Sequence, residues 1–423
     1  MHSWDFLGSF RNSIVFKNMS MLYLFSIANL VFPMLTLPYL TRMLSVEYYG
    51  ICTYVKSCMS YIAILLEFGF LLSATKDVVK AQNDCIKMSQ IVGTVTQAKL
   101  LLSTLAFICL LLMSRFLPIL QENKLFTLLS FGSVVITALI PDYLFRGLNA
   151  MEIITCRFIA CKLLSTVFTF FMIHCDEDII FIPILDLLSS ILALLLSASC
   201  MFNRNIKIIF VPVQTVLSKV FESFTYFISN FATTAFGALC TLLIGFYLNI
   251  EEVAYWSLSM MLISAAQSLY TPIMNGIYPY MVQKPSLDLI KKIIAIFTPL
   301  IFVACLITYL YAPLLLVIVG GKKYAASAPI LQMLLPMLFI SFFSMLVGWP
   351  CLGAINKPKA TSLTTMVAAL FQILSLFSLI FLNWFTISNI IITRTVAEMI
   401  LLLTRGFFCY KYRQEFISSN EAE

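Results

Sequence analysis

Long runs of apolar residues follow one another along the chain, separated only by short polar linkers. Stretches such as 100–112 and 187–198 contain no charge and no regular alternation of apolar and polar positions. Membrane β-strands alternate with period two, whereas a membrane helix needs about 20 predominantly apolar residues. The pattern therefore predicts an all-α polytopic membrane protein with twelve transmembrane helices: 15–40, 50–72, 91–112, 125–145, 154–173, 179–201, 220–248, 255–281, 293–317, 330–352, 361–382 and 387–408.

The loops alternate in charge along the chain. Every second loop is rich in Lys and Arg, as in 76–87 and 204–219, while the intervening loops carry acid, as in 176–178 and 251–252. Cytoplasmic loops of membrane proteins are enriched in Lys and Arg. We therefore expect both termini to lie in the cytoplasm, which requires an even number of spans.

The composition supports a lipid environment for most of the surface. Hydrophobic residues make up 61% of the chain and charged residues 11%, against about a quarter in soluble domains. The net charge of +7 is explained by the basic loops and needs no nucleic-acid partner. The twelve Cys form no CxxC pair, so we interpret them as small buried hydrophobes and predict no metal site.

A weak internal repeat divides the chain into halves. The sequence 44–47, Leu-Ser-Val-Glu, follows the first span, and 248–251, Leu-Asn-Ile-Glu, follows the seventh. Six spans in each half make the repeat parallel. We expect two six-helix bundles, 1–215 and 216–423, around a central cavity, the architecture of an alternating-access carrier.

Charged side chains at membrane depth are costly and are therefore candidates for function. Lys56, Lys99 and Lys162 lie inside predicted spans. Three amines facing one cavity would suit phosphate or an acidic sugar. The alternative is that they snorkel to the surface or pair with Glu67 or Asp186, acids that we also consider for coupling or gating.

Two further pairs have helical i, i+4 spacing. Arg394 and Glu398 share a face of the last span, as a structural pair or as contacts for substrate or a coupling ion. Asp142 and Arg146 lie near the cytoplasmic surface, where they form either a gate or a simple surface pair.

Proline interrupts the first span at Pro33 and Pro38. Each proline removes an intrahelical hydrogen bond, which favours a kink. We expect these two positions to act as hinges.

Enzymatic motifs are missing from the sequence. It contains no P-loop, GxSxG or HExxH pattern. We therefore predict a transporter without catalytic residues or cofactors, driven by an ion gradient or by the substrate gradient.

Five short motifs follow one another along the chain. They are Leu37-Pro38-Tyr39-Leu40, Glu67-Phe68-Gly69-Phe70, Pro141-Asp142-Tyr143 with Gly147, Ile277-Tyr278-Pro279-Tyr280-Met281 and Ala328-Pro329-Ile330-Leu331. In this order they resemble the polysaccharide-transporter branch of the multidrug/oligosaccharidyl-lipid/polysaccharide (MOP) exporter superfamily, and the O-antigen repeat-unit flippases (Wzx) in particular. Tyr143 stands where that family often has Trp.

The resemblance implies a flippase of the bacterial inner membrane. Its substrate would be an undecaprenyl-diphosphate-linked oligosaccharide, whose lipid tail stays among the membrane lipids. The family implies antiport with protons or sodium, and a polysaccharide polymerase and a chain-length regulator as partners.

Two other functions compete with the flippase. A drug exporter of the same superfamily usually holds buried acids for cationic drugs, whereas the first span here has no acid between 15 and 40. A polysaccharide polymerase or ligase would show a large outer loop rich in Arg, which this chain lacks.

Overall fold

The computed structural model describes residues 14–82, 84–283, 285–355 and 357–417, and most of these residues are helical. Ten segments in this part of the chain are long and apolar enough to cross a membrane. The prediction of an all-α polytopic membrane protein is therefore confirmed.

The ten segments coincide with predicted spans one to six and nine to twelve. The seventh predicted span falls on the helix Val213–Tyr247, of which the shorter stretch Ala238–Tyr247 is apolar. The eighth falls on two helices, Ile250–Ser268 and Tyr270–Gln283. The count of twelve stays a prediction, because these segments do not belong to the ten.

The chain forms two compact units, one ending at Ala238 and the other beginning at Leu239. This boundary lies inside the helix Val213–Tyr247, whereas the sequence places the division after residue 215. The two six-helix halves stay a prediction.

The first unit contains the helices that build the candidate site. Its last helix, α10, continues past the end of the unit. Within the unit α9 packs on α6 and α8, α2 packs on α6, and α1 packs on α8. The helices are α1 Ile14–Met43, α2 Val46–Glu67, α3 Phe70–Lys80, α4 Cys85–Phe116, α5 Pro118–Glu122, α6 Lys124–Leu139, α7 Asp142–Gly147, α8 Met151–Met172, α9 Phe181–Phe202 and α10 Val213–Tyr247, with a 3-10 turn at Asp176–Ile180.

Two helices of the first unit begin at polar caps, as their sequences favour. Ser45 Oγ accepts a hydrogen bond from the backbone N–H of Tyr48 at the start of α2. Asp84 accepts from the N–H groups of Ile86 and Lys87 before α4. The bond from Lys87 holds the pKa of the Asp84 carboxyl below its usual value.

The break between α2 and α3 positions Glu67. Phe68 and Gly69 both have positive φ, 44° and 76°, so α2 ends at Glu67. A Cβ added at Gly69 would lie 2.5 Å from Cβ of Tyr226, so only glycine allows α10 to come this close. The Glu67-Phe68-Gly69-Phe70 motif thus sets a helix end and a close helix contact.

The break between α6 and α7 positions Asp142 and Arg146. Pro141 cannot donate a backbone hydrogen bond, and α6 ends at Leu139. At the other end of α7, a Cβ added at Gly147 would lie 2.6 Å from Cγ1 of Val78, so α7 packs tightly on α3.

In the second unit α15 packs against α11, α13 and α17, and α16 packs on α17. Directly after α15 the chain forms a short π-helical segment at Val347–Gly353. The helices are α11 Ile250–Ser268, α12 Tyr270–Gln283, α13 Leu287–Leu310, α14 Ala312–Gly320, α15 Ala328–Leu346, α16 Pro358–Phe381, α17 Ile387–Lys411 and α18 Gln414–Ile417, with a 3-10 turn at Lys322–Ser327.

Candidate functional site

A cavity of about 550 Å³, which we call the lysine cavity, lies among helices α1, α2, α6, α7, α8 and α9 of the first unit. Two of the predicted lysines line it together with hydroxyl groups from α6 and α9. Its five ionisable side chains leave an excess of one positive charge. They are Lys56, Asp142, Arg157, Lys162 and Asp186.

One carboxylate holds both lysines of this cavity. Asp186 Oδ1 lies 3.3 Å from Nζ of Lys162, and Oδ2 lies 3.9 Å from Nζ of Lys56. The side chains of Lys56 and Lys162 keep 50% and 37% of their surface exposed. Pairs this exposed contribute at most about 1 kcal/mol each. Both lysine side chains therefore keep part of their surface open to the cavity.

Lys99 differs from the other two lysines because it is buried against its hydrogen-bond partners. It is 2% exposed, and its ammonium donates to Glu67 Oε2 at 3.0 Å and to the carbonyl of Ala138 at 2.7 Å. Nζ also lies 5.6 Å from the centre of the Tyr143 ring. The structure thus pairs Lys99 with Glu67, as one of the two alternatives from the sequence expects. A substrate role for Lys99 stays a prediction.

Asp142 pairs with Arg157 and not with Arg146. The Asp142 carboxylate lies 2.8 Å from Nη2 of Arg157, and Nη1 of Arg157 donates to Ser197 at 2.6 Å. The i, i+4 spacing of Asp142 and Arg146 does not produce a pair because the Asp142 carboxylate instead contacts Arg157 on α8.

Arg146 lines a second cavity of about 280 Å³, which we call the side cavity, together with Glu67, Lys99 and Asp142. It forms no ion pair with any residue that the structure describes. Nε of Arg146 and Oε1 of Glu67 are buried, and neither has a hydrogen-bond partner among the residues that the structure describes.

Two basic residues that the charge pattern counts with the cytoplasmic loops are buried. Arg157 lies inside the predicted span 154–173, and a charged residue inside a span is a candidate for function. Lys219 is 8% exposed and donates to Asp77 and, at 3.0 Å, to Glu222. Nothing in the sequence distinguishes Lys219 from a loop lysine.

The predicted residues of the last helix lie in the second unit. Glu398 accepts a hydrogen bond from Oγ of Ser344 on α15. The carbonyl of Ser344 accepts from Nη1 of Arg405 at 2.6 Å. The pairing of Arg394 with Glu398 stays a prediction.

The first helix continues through both prolines, since Pro33 and Pro38 lie inside α1. Hydroxyl groups of Thr36 and Thr41 donate to the carbonyls of Phe32 and Leu37 one turn earlier. A hinge at either proline stays a prediction.

Comparison with known sequences finds related proteins along most of the chain. Residues 15–284 match a family described as polysaccharide biosynthesis protein. A relative from Shigella dysenteriae named "Putative O-antigen transporter" is 26% identical over 398 residues, which cover 91% of this chain and 98% of the relative. A relative of the same name from Escherichia coli strain K12 is 26% identical over 361 residues, covering 83% and 86%.

Comparison with solved structures finds the same fold. The lipid II flippase MurJ, in an inward closed conformation, aligns with a TM-score of 0.72 at 13% identity, over 93% of this chain and 89% of MurJ. An inward-facing multidrug resistance MATE family transporter of the MOP superfamily aligns with a TM-score of 0.60 at 13% identity, over 92% and 99%. At such identities the likeness concerns the fold alone.

Proposed function

This chain belongs to the polysaccharide biosynthesis protein family, and from this premise we propose that it flips undecaprenyl-diphosphate-linked O-antigen repeat units across the bacterial inner membrane. The resemblance to the polysaccharide-transporter branch of the MOP superfamily is confirmed by the family match and the relatives. The protein is therefore a transporter and not an enzyme.

The lysine cavity is the observation that supports this substrate. A diphosphate cannot cross hydrocarbon without charged or polar partners. Lys56 and Lys162 together offer six N–H donors to phosphate oxygens. Because each contact with Asp186 is weak, the diphosphate can displace that carboxylate without a large energetic cost.

We also propose Asp186 for coupling to a proton gradient, because it is the carboxylate that contacts both lysines. Sodium is the alternative coupling ion, and Glu67 and Glu398 are further acids that we propose for coupling or gating.

We also propose an orientation in the membrane and partner proteins for this transporter. Both termini face the cytoplasm, the repeat unit moves to the periplasmic leaflet by alternating access, and its lipid tail remains in the bilayer. A polysaccharide polymerase with its chain-length regulator would use the repeat unit there.

Export of cationic drugs is less compatible with the lysine cavity. Its ionisable residues carry excess positive charge, which repels a cation. A drug exporter would need an excess of acid in the same position.

A deletion and complementation experiment tests the function. We expect deletion to abolish surface polysaccharide and to accumulate lipid-linked repeat units in the inner leaflet. Wild type restores export, whereas the double variant Lys56→Gln/Lys162→Gln does not at equal membrane expression. Lys291→Gln is the matched control, because its pair with Asp288 is exposed.

The opposite outcome is equally clear. Intact surface polysaccharide after deletion, together with altered sensitivity to cationic drugs, would replace the flippase with the drug exporter. Full rescue by the double variant would keep the flippase and remove the two lysines from its mechanism.

A further inference from the structure

The side cavity adjoins the lysine cavity but differs from it in charge. Its four charged side chains are two acids and two bases, so their charges balance, whereas the charged side chains of the lysine cavity have a positive excess. The two cavities are contiguous because they share lining residues. The shared residues are Ala63, Val134, Thr137, Ile140 and Asp142.

Two residues that line the side cavity, Glu67 and Arg146, each carry a buried polar atom, and these two atoms have opposite requirements. Oε1 of Glu67 can only accept a hydrogen bond, and Nε of Arg146 can only donate one. Neither has a partner among the described residues, although the other oxygen of Glu67 binds Lys99. A buried polar group without a partner is costly. A group that satisfies both atoms must both donate and accept.

This requirement discriminates between the chemical groups of a lipid-linked sugar. An ionised phosphate accepts hydrogen bonds but cannot donate one to the Glu67 carboxylate, and the negative charges repel each other. A hydroxyl group does both. The volume of about 280 Å³ is close to the lower end of small-molecule pockets, about 300 Å³, and has room for a single sugar ring.

We propose that the side cavity is a sugar subsite, in which Glu67 accepts from, and Arg146 donates to, hydroxyl groups of the sugar nearest the diphosphate. The lysine cavity would hold the diphosphate at the same time, since the two spaces are contiguous. This inference rests on the proposed function, because it assigns the two parts of one head group to two cavities. It also gives a partner to Nε of Arg146, which has none within the described part of the chain.

The test compares two lipids on the full chain in nanodiscs. The probes are undecaprenyl diphosphate, which has no sugar, and the undecaprenyl-diphosphate-linked repeat unit purified from the host. We expect Arg146→Gln and Glu67→Gln to weaken binding of the sugar-bearing lipid about tenfold, the loss of one hydrogen bond to a charged group. Binding of undecaprenyl diphosphate should remain unchanged, and Lys291→Gln should affect neither lipid.

The outcomes separate this inference from the proposed function. If Arg146→Gln weakens both lipids equally, or neither, the sugar subsite is wrong and the flippase stands. If the wild-type protein binds neither lipid, the proposed function fails. Arg146→Lys provides a second variant should Arg146→Gln not fold, and it should also weaken only the sugar-bearing lipid, since it keeps the charge but loses Nε.

Discussion

The buried pair of Lys99 and Glu67 makes a quantitative prediction about stability. Lys99→Met removes the ammonium while keeping a similar apolar chain. The Glu67 carboxylate then loses its partner at 3.0 Å, and the Ala138 carbonyl loses its bond at 2.7 Å. Breaking a fully buried pair costs about 3–5 kcal/mol. Since the Glu67 side chain is 33% exposed, water compensates part of the loss, and we expect about 2–3 kcal/mol.

The measurement is the apparent unfolding temperature of purified protein in detergent, followed by tryptophan fluorescence at one scan rate. Lys99→Met should unfold well below wild type, and Lys291→Met, which removes an exposed pair, should not. Adding Glu67→Gln to Lys99→Met should recover at least half of the loss, because an uncharged pair needs no counter-charge. A double variant as unstable as the sum of both single variants would refute the reasoning.

Three further predictions follow from the first unit. Gly69→Ala should destabilise the protein by roughly 2–4 kcal/mol in the same assay, because Gly69 has a positive φ and lies close to α10. Gly406→Ala should not destabilise it, because a Cβ added there has nothing within 4 Å. Equal effects of the two variants would contradict the close contact at Gly69. Arg157→Ala should leave Asp142, a third exposed, without its partner and lower stability by about 1–3 kcal/mol, while Arg157→Lys should lose less. Asp186→Asn should raise the affinity of the protein for inorganic pyrophosphate up to roughly tenfold in calorimetry, because the carboxylate no longer competes with the anion for the two lysines. A lower affinity would show that Asp186 does not compete with the anion.

Local sequence features explain several helix ends that the structure shows, including one inside the predicted span 125–145. Pro141 ends α6 because it has no backbone donor. Ala328 and Pro329 begin α15 because proline fits the first turn of a helix. The membrane class follows from the absence of enough charge to solvate the surface, and the family follows from motifs in order along the chain.

The amino-acid sequence identified an all-α polytopic membrane protein of the polysaccharide biosynthesis protein family and showed which charged residues fall within apolar stretches. Only the tertiary structure decided their partners: Lys99 with Glu67, both Lys56 and Lys162 with Asp186. Spacing along a helix tells which residues share a face. It does not tell which neighbouring helix that face meets, because this depends on how each helix is rotated and packed. The same limit applies to Arg146: its spacing from Asp142 allows a pair within α7, whereas packing places it at the side cavity.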